Sequence, residues 1–253
     1  ETDTVVTISA GNSYAWDYSA DHDLYVEDIR FSTGGSPGSY SNSLGVASVE
    51  STFFNEDGSY TAPEFYEMSD FSSWGIPDSL EMKPEITAPG GNIYSVNGMV
   101  AGGKSYESMS GTSMAAPQMA GIAAVMAEYI RENDLVEKTG LTVRQLTQSL
   151  LMSTAQALME ESNEYWYSIL KQGSGMARPD LATTAQTYIV MNDDATAYAA
   201  DGKVKVELGD DPTREGAYTA TFTLNNLTDT EKVFDLAADF FIQAPTSDGV
   251  DMY

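Results

Sequence analysis

A serine set at the mouth of an apolar helix is the arrangement with the most evident chemistry in this sequence. Gly111-Thr112-Ser113-Met114-Ala115-Ala116-Pro117 runs straight into Gln118-Met119-Ala120-Gly121. From Met114 to Ala127 only Gln118 and the Pro117/Gly121 pair interrupt the apolar run, which predicts a helix hydrophobic all round and therefore buried. Pro117 is expected in the first turn, whose N–H groups lack partners anyway. Such a helix brings its positive dipole end and free backbone N–H groups beside the Ser113 hydroxyl. That setting suits a nucleophile whose reaction builds negative charge on the substrate. A plain N-cap, the commonest job of a serine at a helix start, accounts for this segment equally well.

Two further segments weigh against the cap. Val5-Val6-Thr7-Ile8-Ser9-Ala10-Gly11-Asn12-Ser13 reads as a buried β-branched strand ending in small residues and an asparagine. The Asn12 side-chain N–H₂ can face a developing oxyanion there, and Gly11 lets a substrate come close. Taken alone, Asn12 reads as a turn residue. Farther along, Phe71-Ser72-Ser73-Trp74-Gly75 precedes Lys83-Pro84-Glu85-Ile86-Thr87-Ala88-Pro89-Gly90, a short strand closed by a Pro89-Gly90 turn.

In this order the segments resemble the motifs of the subtilisin-like serine proteases (subtilases). Gly-Thr-Ser-Met-Ala-Ala-Pro is similar to the family's nucleophile motif and Ser-Ala-Gly-Asn to its oxyanion motif. Gly35-Ser36-Pro37-Gly38-Ser39-Tyr40 resembles the loop at the base of the primary specificity pocket. Trp74 and the Gln118-Met119 pair resemble the lactocepin and C5a-peptidase-like group of Gram-positive cell envelopes. The resemblance implies Ser113 as nucleophile, Asn12 as side-chain oxyanion donor and the Ser113 backbone N–H as second donor. It also implies a polypeptide substrate, a pocket wall formed by Ser9, Ala10 and Gly11, and a floor at Gly35.

One departure limits what this can mean. A serine hydroxyl needs a base to take its proton, and the base needs an orienting carboxylate. Subtilases carry these in the order Asp, His, Ser, with Asp and His ahead of the oxyanion asparagine. The one histidine here, His22, follows Asn12 in the acidic stretch Ala20-Asp21-His22-Asp23-Leu24. The α/β-hydrolase order, with His after the nucleophile, does not assign it either, so His22 is expected to be a surface loop residue. The chain is expected to be the C-terminal portion of a peptidase domain, inactive alone, with its catalytic Asp and His on an N-terminal segment absent from it. Two alternatives stay open: a catalytically inactive pseudoprotease, and a surface-adhesion or binding scaffold.

Composition narrows the partners. Twelve basic against 38 acidic residues leave a net charge of −26, which argues against nucleic acid and anionic membranes. No apolar run has the length of a membrane span. Without cysteine there is neither a disulfide nor thiol catalysis, and one histidine does not make a zinc site. The charge slightly favours cationic substrates or Ca²⁺. Asp17, Asp21, Asp23, Glu27 and Asp28 could ligate it, although they lack EF-hand spacing and read first as a solvated acidic loop. Resemblance and lack of cysteine agree with an extracellular protein, secreted or cell-wall associated.

The elements that must position these residues alternate. Val5 to Ala10 and Ser43 to Val49 read as strands. Leu141 to Ala157 reads as an amphipathic helix capped by Thr142, with Val143, Leu146, Leu150 and Leu151 on one face, and Pro179 starts a short helix. Between Glu50 and Asp70 only a short polar link stands where the resembling proteases often carry an inserted domain. The expected fold is α/β: a three-layer subtilisin-like domain with a mainly parallel sheet, incomplete at its N-terminus, over residues 1–187. From residue 188 the period becomes two. Val204, Val206 and Leu208 alternate with Lys203, Lys205 and Glu207, and alternation resumes over 218–224 and 234–240. Residues 188–253 are therefore expected to begin an antiparallel β-sandwich resembling a fibronectin-III-like domain.

Overall fold

The computed structural model describes residues 3–13, 33–51, 53–54, 59–61, 66–76, 79, 81–99, 102–103, 105–160, 166–192, 201–207, 213–240, 243–246 and 249–252. Its centre is a parallel sheet of β1 (Thr7–Ser9), β2 (Leu44–Glu50) and β5 (Ile86–Gly91), with β2 in the middle. β2 is buried from Leu44 to Val49, as a strand covered on both faces must be. Between β2 and β5 the chain folds back on itself as β3 (Phe53–Phe54) and β4 (Tyr60–Thr61). A second antiparallel pair, β6 (Ile93–Val96) and β7 (Tyr106–Met109), leads into α1 (Thr112–Glu132).

Helix α1 lies across all three parallel strands. Alternation along β2 and β5 aims Leu44, Val46, Ile86 and Ala88 at one core, shared with Ala115, Met119 and Met126 of α1. After α2 (Leu135–Thr139) comes α3 (Val143–Ser153), which closes that core with Val143, Leu146, Leu150 and Leu151. Thr142 caps α3 in a reciprocal box with Gln145, as its sequence predicts, and the helix stops a turn short of Ala157. On the opposite face of β2, Ala47 and Val49 meet Met68, Leu158 and Met176. There the cover is α4 (Ile169–Gln172) and irregular chain. α5 (Pro179–Ala182) starts on its proline and precedes β8 (Thr187–Met191), which packs on α3 and places Tyr188 in the main core.

Several expectations need correction. α1 is not buried all round: Gln118, Ala120, Gly121, Ala124 and Val125 are exposed, the last at 51%. Alanine and glycine have so little surface to hide that an apolar run of them does not compel burial. Pro117 is the sixth residue of α1, past the first turn, so the Ser113 carbonyl loses its usual i+4 donor. Pro89-Gly90 is no turn but part of β5, where Pro89 sits opposite Val49 beside a register irregularity, a place that tolerates a missing N–H.

The described residues do not show a fibronectin-III-like sandwich. β8 pairs with β9 (Phe222–Asn226), and β10 (Gln243–Thr246) with β11 (Gly249–Met252); these are two ribbons rather than two packed sheets. Residues 234–240 form no strand and Leu236 and Phe240 are exposed. Among the described residues no helix is long and apolar enough to cross a membrane.

Segment 201–207 also reverses its expected faces. Lys203 and Lys205 are buried, and Val204 and Val206 only partly so. The lysines are drawn in by Glu85, which is fully buried. Glu85 Oε2 accepts the Gly45 N–H (2.6 Å), while Oε1 pairs with Lys83, with Lys203 (2.9 Å) and with Lys205 (3.3 Å). Burial opposes the charge on Glu85, but the three ammonium groups, Lys203 foremost, outweigh it and hold the carboxyl below its ordinary value of 4.5. Burial also pushes Lys83 down to about 8.

A carboxyl whose folded-state pKa is depressed stabilises the fold above its unfolded value near 4.5, and this contribution is lost as pH falls through the lower folded value. Glu85→Gln is therefore expected to cost about 3–5 kcal/mol at neutral pH. Urea unfolding should show the gap between variant and parent narrowing below that range. A gap that stays constant into strong acid would contradict this account of Glu85.

Candidate active site

Two strand ends hold the N-terminus of α1. At the end of β5, Gly90 O accepts the Gly111 N–H (2.9 Å). Gly90 admits no side chain, because a Cβ there would lie 2.4 Å from Ser48 Oγ and 2.7 Å from Gly111 O. Beyond β1, Asn12 Oδ1 accepts from the Thr112 N–H (2.9 Å) and from Thr112 Oγ1 (2.8 Å). Thr112 Oγ1 accepts in turn from the Gly11 N–H (3.1 Å). The helix start is thus capped by a side chain 100 residues earlier. Ser113 is not the N-cap: that position is Gly111, with no side-chain cap bond of its own.

This capping fixes the orientation of Asn12. A backbone N–H can only donate, so the amide atom facing Thr112 is the oxygen and Nδ2 turns away. A methyl group placed on Gly111 would lie 3.2 Å from Asn12 Nδ2 and 3.7 Å from Ser113 N, so both nitrogens border one small space. Among the described residues neither donor has an acceptor, and the exposed Ser113 makes no hydrogen bond through Oγ. Among the described residues, two N–H donors without an acceptor thus border one space at the positive end of a 21-residue helix, whose second residue is the exposed Ser113.

The Phe71–Gly75 segment clamps this loop. The Ser73 N–H donates to Gly11 O and Ser73 Oγ accepts from the Ser13 N–H, both at 3.0 Å. Trp74 O accepts from Thr33 (2.7 Å) and Gly34 (3.1 Å). Ala10 is buried beside a cavity of about 10 Å³ that it shares with Gly34, Gly38, Ser39 and Gly75. Gly35 is exposed on the adjoining turn, outside that cavity, with its N–H 3.4 Å from Ala10 O. Ser9 is half-buried at the end of β1.

Sequence reasoning passed over the β6–β7 ribbon, which builds a cleft of about 490 Å³ against the start of α1. Ile93, Met99, Glu107, Met109 and Met114 line it together with Ser113. Asn97-Gly98, a common turn dipeptide, stands at the end of β6 and was the available signal. His22 and the candidate calcium ligands Asp17, Asp21, Asp23, Glu27 and Asp28 lie outside the described residues. Among those described, no group of three His, Cys, Asp or Glu could hold a metal ion.

Comparison with known proteins bears on this geometry. A family profile described as "Subtilase family" matches residues 1–192. The PII-type proteinase of Lacticaseibacillus paracasei is 31% identical over 190 residues, covering 68% of this chain and 10% of that protein. The C5a peptidase of Streptococcus pyogenes is 35% identical over 131 residues, covering 52% of this chain and 11% of that protein. The chain thus spans about a tenth of the length of these curated relatives. The solved structure of the prenylagaramide maturation protease PagA superposes with a TM-score of 0.45 at 20% identity, over 72% of this chain and 50% of that one.

The capping geometry makes Thr112 and Ser113 energetically opposite. Thr112→Val strands the Gly11 N–H and should cost about 1–3 kcal/mol in urea unfolding. Ser113→Ala, at an exposed hydroxyl without a partner among the described residues, should stay within about 0.5 kcal/mol. The reverse ranking would contradict the assigned hydrogen bonds.

Proposed function

This chain belongs to the subtilase family, and we propose that its Ser113 attacks the carbonyl of a peptide bond in an extracellular polypeptide. The observation that carries this reading is the exposed Ser113 at the start of α1, where the Asn12 amide and the Ser113 backbone N–H border one space and have no acceptor among the described residues. As the Oγ–C bond forms, the carbonyl π electrons move onto oxygen, and those two donors receive the negative charge. The α1 N-terminus adds its dipole at that point. The strand end Ser9-Ala10-Gly11 forms one wall of the substrate cleft, with Gly35 on the turn next to it, and the β6–β7 cleft receives a neighbouring apolar side chain of the peptide. The names of the relatives, proteinases and a peptidase, support the same reaction class.

The proton leaving Ser113 Oγ needs an acceptor. We assign it to a His, oriented by an Asp, on sequence outside these 253 residues, in a protein that is secreted or held in the cell wall. In a subtilisin, a member of this family, loss of the catalytic His costs on the order of a millionfold in turnover. The 253-residue chain should therefore not label with a fluorophosphonate, and rapid labelling at Ser113 would overturn the assignment of the base. Within the longer polypeptide, casein cleavage should vanish in Ser113→Ala and fall about a hundred- to a thousandfold in Asn12→Ala. Cleavage that survives Ser113→Ala would sink the reading.

A further inference from the structure

Beneath the turn that carries Gly35, backbone carbonyls of Tyr40, Ser41 and Ser43 converge with the buried carboxylate of Glu85. An all-oxygen set with one negative charge is what a hard cation seeks. Two ammonium groups reach both the carbonyls and the carboxylate, and of this set Lys205 reaches the carboxylate alone (3.3 Å). Lys83 Nζ donates to Tyr40 O (2.8 Å) and Ser43 O (3.0 Å), and Lys203 Nζ to Ser41 O (2.5 Å) and Ser43 O (2.6 Å), while both pair with Glu85 Oε1.

The two lysines differ in origin. Lys83 lies just ahead of β5. Lys203 arrives from 160 residues beyond Ser43, past residue 192 where the family match ends. Its segment is fastened to α3 by separate contacts. Arg144 pairs with Asp201 (2.6 Å), and Gln148 Nε2 donates to Asp201 O (2.5 Å). Gly202, at φ 79°, seats against α3 so closely that a Cβ would lie 2.3 Å from Gln145 O. The side chain of Lys203 is wholly buried, so solvent does not set its position.

We propose that Lys203 is a positioning residue: a tethered cation that gathers the carbonyls of residues 40–43 and so holds the turn that borders the substrate cleft. Without it, carbonyl dipoles and a carboxylate would face one another with one ammonium fewer between them. Segment 201–207 is then a working part of the peptidase unit. The role as a cleft border rests on the function proposed above, but the test does not require catalysis.

Hydrogen exchange on the 253-residue chain reads it directly. Lys203→Ala should speed exchange in residues 34–45 by about tenfold or more while leaving the middle of α1 unchanged. Methylammonium or Ca²⁺ should restore protection saturably in that variant and add none to the parent. Tetramethylammonium, which has no N–H to donate, should not restore it. Lys203→Gln, which keeps N–H donors without the charge, should loosen the same turn, and it supplies the readout if the alanine variant does not fold. Unchanged protection in Lys203→Gln, or a loosened alanine variant that no small cation restores, would overturn the proposal. Absence of peptidase activity in the longer protein would instead sink the reading of the cleft and leave this result standing.

Discussion

Everything at the candidate site depends on one side chain serving two elements. Asn12 Oδ1 takes two hydrogen bonds from Thr112 and thereby ties the end of β1 to the start of α1. Caps of this kind are worth about 0.5–2 kcal/mol, a small sum beside the core. Their geometric effect is larger, because an amide with its oxygen anchored has its nitrogen aimed. The parallel sheet makes this possible by presenting the ends of β1 and β5 on the same side, where α1 begins. Fold and site are thus not separable: the contact that finishes the helix also orients the Asn12 amide.

Charge is distributed with the same economy. The chain carries twelve basic residues against 38 acidic ones, yet Lys83, Lys203 and Lys205 are buried around a single carboxylate. A fourth, Lys171, is buried with its Nζ 5.5 Å from the centre of Trp74 and 5.2 Å from that of Tyr167. Buried ammonium groups persist only where anions, carbonyls or aromatic faces replace water. These lysines act as internal struts beneath the segments 33–45 and 71–75 that flank Asn12, while the remaining charge leaves the surface acidic.

How much could be read in advance follows from where each signal resides. Ser9-Ala10-Gly11-Asn12 and Gly111-Thr112-Ser113 are local patterns legible in the sequence, and the structure brings the two together. The cap at Thr142 and the face of α3 were equally legible, being decided within one helix. Lys203 and Lys205 were not. A two-residue period separates two faces without saying which goes inward, and the valines were the natural choice. A carboxylate 118 residues away decided otherwise. The start of α1 was misplaced by about two residues, as helix boundaries commonly are, which is why Pro117 was assigned to the first turn. The exposed face of α1 was hidden by its composition, since small apolar residues look alike on a buried or an open surface.

The most direct measurement is a crystal structure of this chain, joined to the segment proposed to supply His and Asp, carrying a peptidyl phosphonate bound covalently to Ser113 Oγ. The account predicts one phosphonyl oxygen about 2.7–3.1 Å from both Asn12 Nδ2 and Ser113 N, with Asn12 Oδ1 still held by Thr112. A phosphonyl oxygen turned to bulk water, with Asn12 Nδ2 engaged elsewhere, would contradict it.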